Sequence, residues 1–264
     1  MHRRTRLAAW VILAAALAWW PAGARAAPRP RFEPTDLEWE DTGVAEFDLQ
    51  VGPVRSSDGP LRIVVPDFEL DLGLLPWLEL DLDGAYAVSG PDTGPFSLDH
   101  SAPDALWPSI KFGLAGIHDD GASWGAAFGL QIGPKLPVAP GAHGVGVEAL
   151  AVMGGAIRRL TCVLNMGGFY DPAPDAVSHR PGGLELGLDL QFKLDDIDRF
   201  SLKGEISGTT FVTSDPNQAQ VTLGFAWNVL PMLELSLTGL LGTPSGGDKY
   251  GLLFGISPKF RFFK

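Results

Sequence analysis

Between residues 67 and 88 the chain reads DFELDLGLLPWLELDLDGAYAV, and its apolar and acidic residues alternate almost strictly. Phe68, Leu70 and Leu72, then Leu78, Leu80 and Leu82, hold every second position, while Asp67, Glu69, Asp71, Glu79, Asp81 and Asp83 fill most of the gaps. Side chains two apart share one face of a β-strand, so the pattern predicts a hairpin with one oily and one acidic face. The same period recurs in LELGLDLQFKL, where Leu184, Leu186, Leu188, Leu190, Phe192 and Leu194 share a face, and in Val221, Leu223, Phe225, Trp227 and Val229. Trp124, Ala126, Phe128, Leu130 and Ile132 repeat it against small residues and Gln131. Segments 44–51, 61–73, 77–88, 108–117, 124–134, 144–156, 159–170, 183–194, 199–212, 219–229, 232–241 and 249–263 are expected as strands, and no apolar segment with a helical period competes with them.

The connectors carry a second pattern. Those after the even-numbered strands are mostly short, such as LLP, IR and LP, whereas those after the odd-numbered strands are mostly longer, with 89–107 the longest. In an antiparallel succession this places long loops on one rim and short turns on the other. LLPWLELDLDG (74–84) and VLPMLELSLTG (229–239) repeat a Leu-Pro turn before a strand, both at the short-turn rim.

Alternation alone does not say which face meets water, because a soluble sandwich or barrel buries its apolar face and a membrane barrel does the reverse. Several features favour the membrane barrel. Most strands approach the length needed to cross a bilayer at a tilt, their number is even, and the loops are asymmetric. The polar face is rich in Gly125, Ala127, Gly129, Gly133, Gly224 and Ala226, which suits a concave interior. Trp77, Tyr86, Trp124, Trp227, Tyr250, Phe260 and Phe262 fall near strand ends, where interfacial aromatic belts form. The expectation is an all-β, transmembrane, antiparallel up-and-down β-barrel of about twelve strands over residues 43–264. A soluble secreted β-protein with its leucines inside is the opposite solution.

The last strand, YGLLFGISPKFRFF, alternates Tyr250, Leu252, Phe254 and Ile256 and runs into aromatics, with Lys264 following Phe263. It resembles the carboxy-terminal strand of bacterial outer-membrane barrels. With GLLPWLELDLDGAYA, residues 44–264 loosely resemble the transporter-like outer-membrane family associated with phenol-degradation pathways. The resemblance implies residence in outer-membrane lipid, recognition of the last strand by the barrel assembly machinery, and passive transport of a small solute.

The amino terminus and the charge agree with export. Arg3, Arg4 and Arg6 precede fourteen mostly apolar residues, Leu7 to Trp20, and then an Ala24-x-Ala26 site, so residues 1–26 read as a cleaved signal peptide and 27–42, rich in Pro and charge, as a flexible periplasmic leader. Losing the four arginines of 1–26 takes the formal charge from −11 to −15. So acidic a chain is a poor partner for nucleic acid. Cys162 is the single cysteine and no internal disulfide is expected; in the run Leu160, Cys162, Leu164, Met166 it reads as a small apolar residue.

With the leucines in lipid, Glu46, Asp48, Asp67, Glu69, Asp71, Glu79, Asp81 and Asp83 form an acidic wall of the lumen, and Lys111, Lys193, Lys203, Lys259 and Arg261 share its parity as lumen bases. A tight turn pairing residue 73 with residue 77 sets Asp71 opposite Glu79, Glu69 opposite Asp81 and Asp67 opposite Asp83, three like-charge pairs that need water, protons, cations or bases to offset them. Closing the last strand on the first brings Lys259 and Arg261 near Glu46 and Asp48. The lumen is either filled by such a network or forms a narrow polar passage, narrower still should 89–107 fold inward. A passive channel or transporter is the expected function; a non-transporting structural or display barrel and a barrel hydrolase using His100, beside Asp99, Ser101 and Asp104, are the alternatives. His118, His143 and His179 lack ligand spacing, DDIDR at 195–199 lacks the glycine and terminal glutamate of a calcium loop, and no cofactor, metal quartet or enzyme motif is expected.

Overall fold

A computed structural model describes residues 40–56, 61–89, 101–118, 124–136, 144–170, 182–197, 199–212, 217–242 and 248–263. They form twelve strands: β1 (Val44–Ser56), β2 (Leu61–Leu75), β3 (Leu78–Ser89), β4 (Ser101–His118), β5 (Trp124–Lys135), β6 (Gly146–Ile157), β7 (Leu160–Tyr170), β8 (Gly182–Lys193), β9 (Phe200–Phe211), β10 (Gln218–Leu230), β11 (Leu233–Gly242) and β12 (Asp248–Arg261). Each pairs antiparallel with its neighbours in sequence, and β12 pairs with β1, so the sheet closes and no edge is left. Closure is what lipid demands, since an open edge there strands backbone donors and acceptors without partners.

The apolar rows point outward. Leu184 is 66% and Leu186 53% exposed, and Leu190, Phe192, Val221, Leu223, Phe225 and Trp227 lie on the same outer surface. The interior holds what a soluble protein would wet: Glu46, Asp71, Glu79, Lys111, Asn165 and Asp189 have no solvent-exposed surface. The molecule is therefore the inverted solution, and the soluble alternative with its leucines in a dry core is overturned. Cys162, beside Leu160, Leu164 and Met166, has the outward parity and is partly exposed.

The Leu-Pro repeat turns out to be one structural device used twice. Leu75 pairs with Leu78 around Pro76–Trp77, and Leu230 with Leu233 around Pro231–Met232, each with a register shift just before the turn. Proline fixes φ at the first turn position, and the bulge absorbs the extra residue. That bulge corrects the expected hairpin register. Gly73 pairs with Glu79, Asp71 with Asp81 and Glu69 with Asp83, while Asp67 faces Ala85, so two like-charge pairs form in the hairpin instead of three, and Glu79 has Gly73 on one side and Lys111 of β4 on the other.

Two strands run further than their patterns suggest. β1 continues to Ser56, and β4 begins at Ser101 rather than 108, so 101–107 is strand and not part of an inward-folded loop. Pro103 lies in this stretch and Pro108 at its border. They are tolerated because Pro103 is laddered to β3 alone and Pro108 falls in the gap between the isolated Leu106–Leu136 bridge and the continuous β4–β5 ladder that begins at Ile110.

The short-turn rim carries the aromatics: Trp77, Trp124, Phe192, Trp227, Phe260 and Phe262 are exposed there, and Phe200 stacks on Phe225 and Trp227 at 5.6 and 6.1 Å. Tyr170 and Tyr250 mark the opposite rim. The side chain of Tyr86 lies outside the described residues.

The charged belt as candidate functional site

The inward face of β1–β5 is a row of ionisable groups set by register. Glu46 lies opposite Asp71, Asp48 opposite Glu69, and Asp71 opposite Asp81. Glu79 lies opposite Lys111, whose ammonium meets its Oε1 at 3.1 Å with both side chains fully buried. Asp81 accepts from the Gln131 amide at 2.8 Å through Oδ2, and the same amide nitrogen reaches Ser109 Oγ at 2.8 Å. One carboxylate oxygen from each of Asp71, Glu79 and Asp81 lies within 4.8 Å of the others, and Asp48, Glu69 and Asp71 form a second triad of that span. Asp71 belongs to both. Asp67, Glu69 and Asp83 are half-buried, further along the same face.

At the seam, Lys259 lies opposite Glu46 and bridges it at 2.8 Å, as the sequence suggests, and also bridges Glu40 at 2.8 Å. Arg261 does not reach Asp48. It pairs with Asp41 at 3.0 Å, because residue 261 stands opposite Val44, beyond the acidic row and beside the entering chain. Residues 40 and 41, expected from the sequence to belong to a flexible segment, are thus held by the barrel. Glu40 is buried, its backbone N–H donates to Glu79 Oε2, and its backbone carbonyl crowds Gly73 so closely that any Cβ there would strike it. Gly43 turns the chain into β1 with φ of 81°, a conformation glycine adopts without strain.

Across the barrel the charges are sparser. Lys203 donates to Glu234 Oε1 at 2.9 Å, although β10 lies between their strands. The small Gly224 and Ala226 on β10 leave room for the lysine to cross. Lys193 stands opposite Ser201, close to the short-turn rim. Asp189 faces Glu205 in register and accepts from Asn165 at 3.0 Å. Towards the long-loop rim Lys135 bridges Glu148 at 2.6 Å and sits 4.8 Å over the Phe169 ring, which meets Phe211 edge-on at 6.2 Å.

Inward parity is the one signal the sequence carries for Gln131, Lys135, Glu148, Asn165, Glu185, Asp189, Glu205 and Glu234, and none of them stands in an unbroken acidic row like those of β2 and β3. Leu150, Val152 and Val163 are a different kind of surprise, apolar residues buried on the inside of β6 and β7. His100, His143 and His179 lie outside the described residues, and so does the side chain of His118.

No protein-family profile matches the sequence, and neither does any curated protein. Solved structures do match in fold. One described as a NanC porin superposes with a TM-score of 0.57 at 8% identity, covering 81% of this chain and all of that one. Another, described as the KdgM porin, gives 0.50 at 7% identity, covering 82% of this chain and 99% of that one. At such identities the likeness is one of architecture: this chain has a closed, antiparallel barrel fold shared with structures described as porins.

Proposed function

We propose that the chain is a bacterial outer-membrane barrel acting as a passive channel for small solutes, with the belt of Glu46, Asp48, Glu69, Asp71, Glu79, Asp81 and Lys111 as its narrowest, most selective zone. The observation that carries the reading is the inversion itself: an oily exterior around an interior lined by ionisable side chains, on a fold shared with structures described as porins. Placing charges inside a barrel is costly unless they are paired or serve a polar cargo. An acidic majority in that zone favours cations or neutral polar solutes over anions. The loose resemblance to transporter-like proteins of phenol-degradation pathways makes a small aromatic the first solute class to try. Export through a signal peptide, assembly of the last strand by the barrel machinery and the non-enzymatic character belong to the same reading.

A second reading has an observation of its own. Glu46, Asp71, Glu79 and Lys111 have no solvent contact at all, as in a filled barrel that only anchors or displays its loops. Planar-bilayer recording of the refolded protein separates the two. A channel gives small currents of cation preference, shifted towards anions by Asp81→Lys. Absence of current at every voltage from folded protein would leave the filled barrel.

A further inference from the structure

We propose that the barrel wall binds one divalent cation of the calcium type between Asp71, Glu79 and Asp81. Asp71 on β2 faces Asp81 on β3, Glu79 stands two residues from Asp81 on the same face of β3, and their candidate oxygens lie within 4.8 Å of one another. Calcium takes oxygen ligands at about 2.4 Å, so two ligands on opposite sides of one ion stand about 4.8 Å apart, and the triad has the span of a single coordination sphere. Proximity of acids alone would not identify a ligand. Two further atoms do. Asp81 is 4% exposed, and its Oδ1 accepts no hydrogen bond although Oδ2 is held by Gln131. Gln131 is 1% exposed, and the Oε1 of the amide whose nitrogen touches Asp81 also lacks a partner. A buried acceptor left unmet costs free energy, and here a carboxylate oxygen and a neighbouring amide oxygen, both hard donors, are left so within one group of residues.

Electrostatics points the same way. Asp71 and Asp81 face each other directly, an arrangement that destabilises a sheet when nothing stands between the charges. Lys111 brings one positive charge to Glu79 at the margin of the triad. A dication among Asp71, Glu79 and Asp81 would turn the like-charge pair into a crosslink between β2 and β3. The inference is independent of conduction, because a filled barrel and an open one would hold the ion alike.

The test is calorimetric titration of the folded, detergent-solubilised protein with calcium chloride. One ion per barrel is expected, and Asp81→Asn should weaken its binding at least about tenfold by removing a charged ligand. Glu205→Gln, a buried acid on another part of the wall, should leave the affinity unchanged. Should Asp81→Asn fail to fold, Asp71→Asn makes the same comparison. Folded wild-type protein that takes up no calcium, or an affinity that Asp81→Asn leaves intact, would overturn the proposal. Calcium binding without bilayer current would sink the channel and leave the metal site standing.

Discussion

Two stretches of the inner wall, made by neighbouring strands of one sheet, have opposite chemistry. Across β1–β5 the interior is dominated by Glu46, Asp48, Glu69, Asp71, Glu79, Asp81, Lys111 and Gln131, with Val54, Val64 and Trp107 beside them; across β6 and β7 Leu150, Val152 and Val163 form an apolar patch among Glu148, Thr161 and Asn165. Both stretches have outer faces suited to lipid. The contrast shows that the bilayer legislates for one side of a strand only. What lies inside answers to whichever side chains face it, methyl groups packing on methyl groups in one sector and charges answering charges in the other.

The largest consequence is expected on the charged side. Lys111→Ala takes the buried ammonium away from Glu79, beside Asp71 and Asp81, and should cost about 3–5 kcal/mol of unfolding free energy, read by urea titration in micelles. The double variant Lys111→Met with Glu79→Gln should recover most of that loss, since removing both members leaves no stranded charge. A double variant as unstable as the single one would show that packing, not charge, decides this sector. On the apolar side, Leu150→Ala should cost about 2–4 kcal/mol through the cavity it opens, with no dependence on salt or pH in the same titration. At the bottom of the scale stands the bridge from Arg159 to Asp196 on the short-turn rim, 42% and 85% exposed. Arg159→Ala should shift the midpoint by less than about 0.5 kcal/mol.

The fold was legible because lipid imposes a rule on every strand, and rows such as Leu184 to Leu194 obey it without exception. Strand number, order and sense follow from the period and the connectors. The site was less legible, because the interior has no comparable rule. The acids of β2 and β3 stood out as rows, yet their partners depended on a bulge at Leu74 that slides the hairpin by two residues, and no local pattern announces such a bulge before it is seen twice. Gln131 contributes to the belt from β5 as a long polar residue among glycines and alanines, which the alternation of that strand did not distinguish from a solvated face.

The bond from Lys259 to Glu40 spans 219 positions of the chain. So distant a contact carries a large loop-closure cost, which is repaid once the intervening hairpins have brought β12 beside β1. The seam is therefore fastened by a charge pair whose two halves only closure of the barrel brings together, and Lys259→Ala would loosen that seam while leaving the hairpins in place.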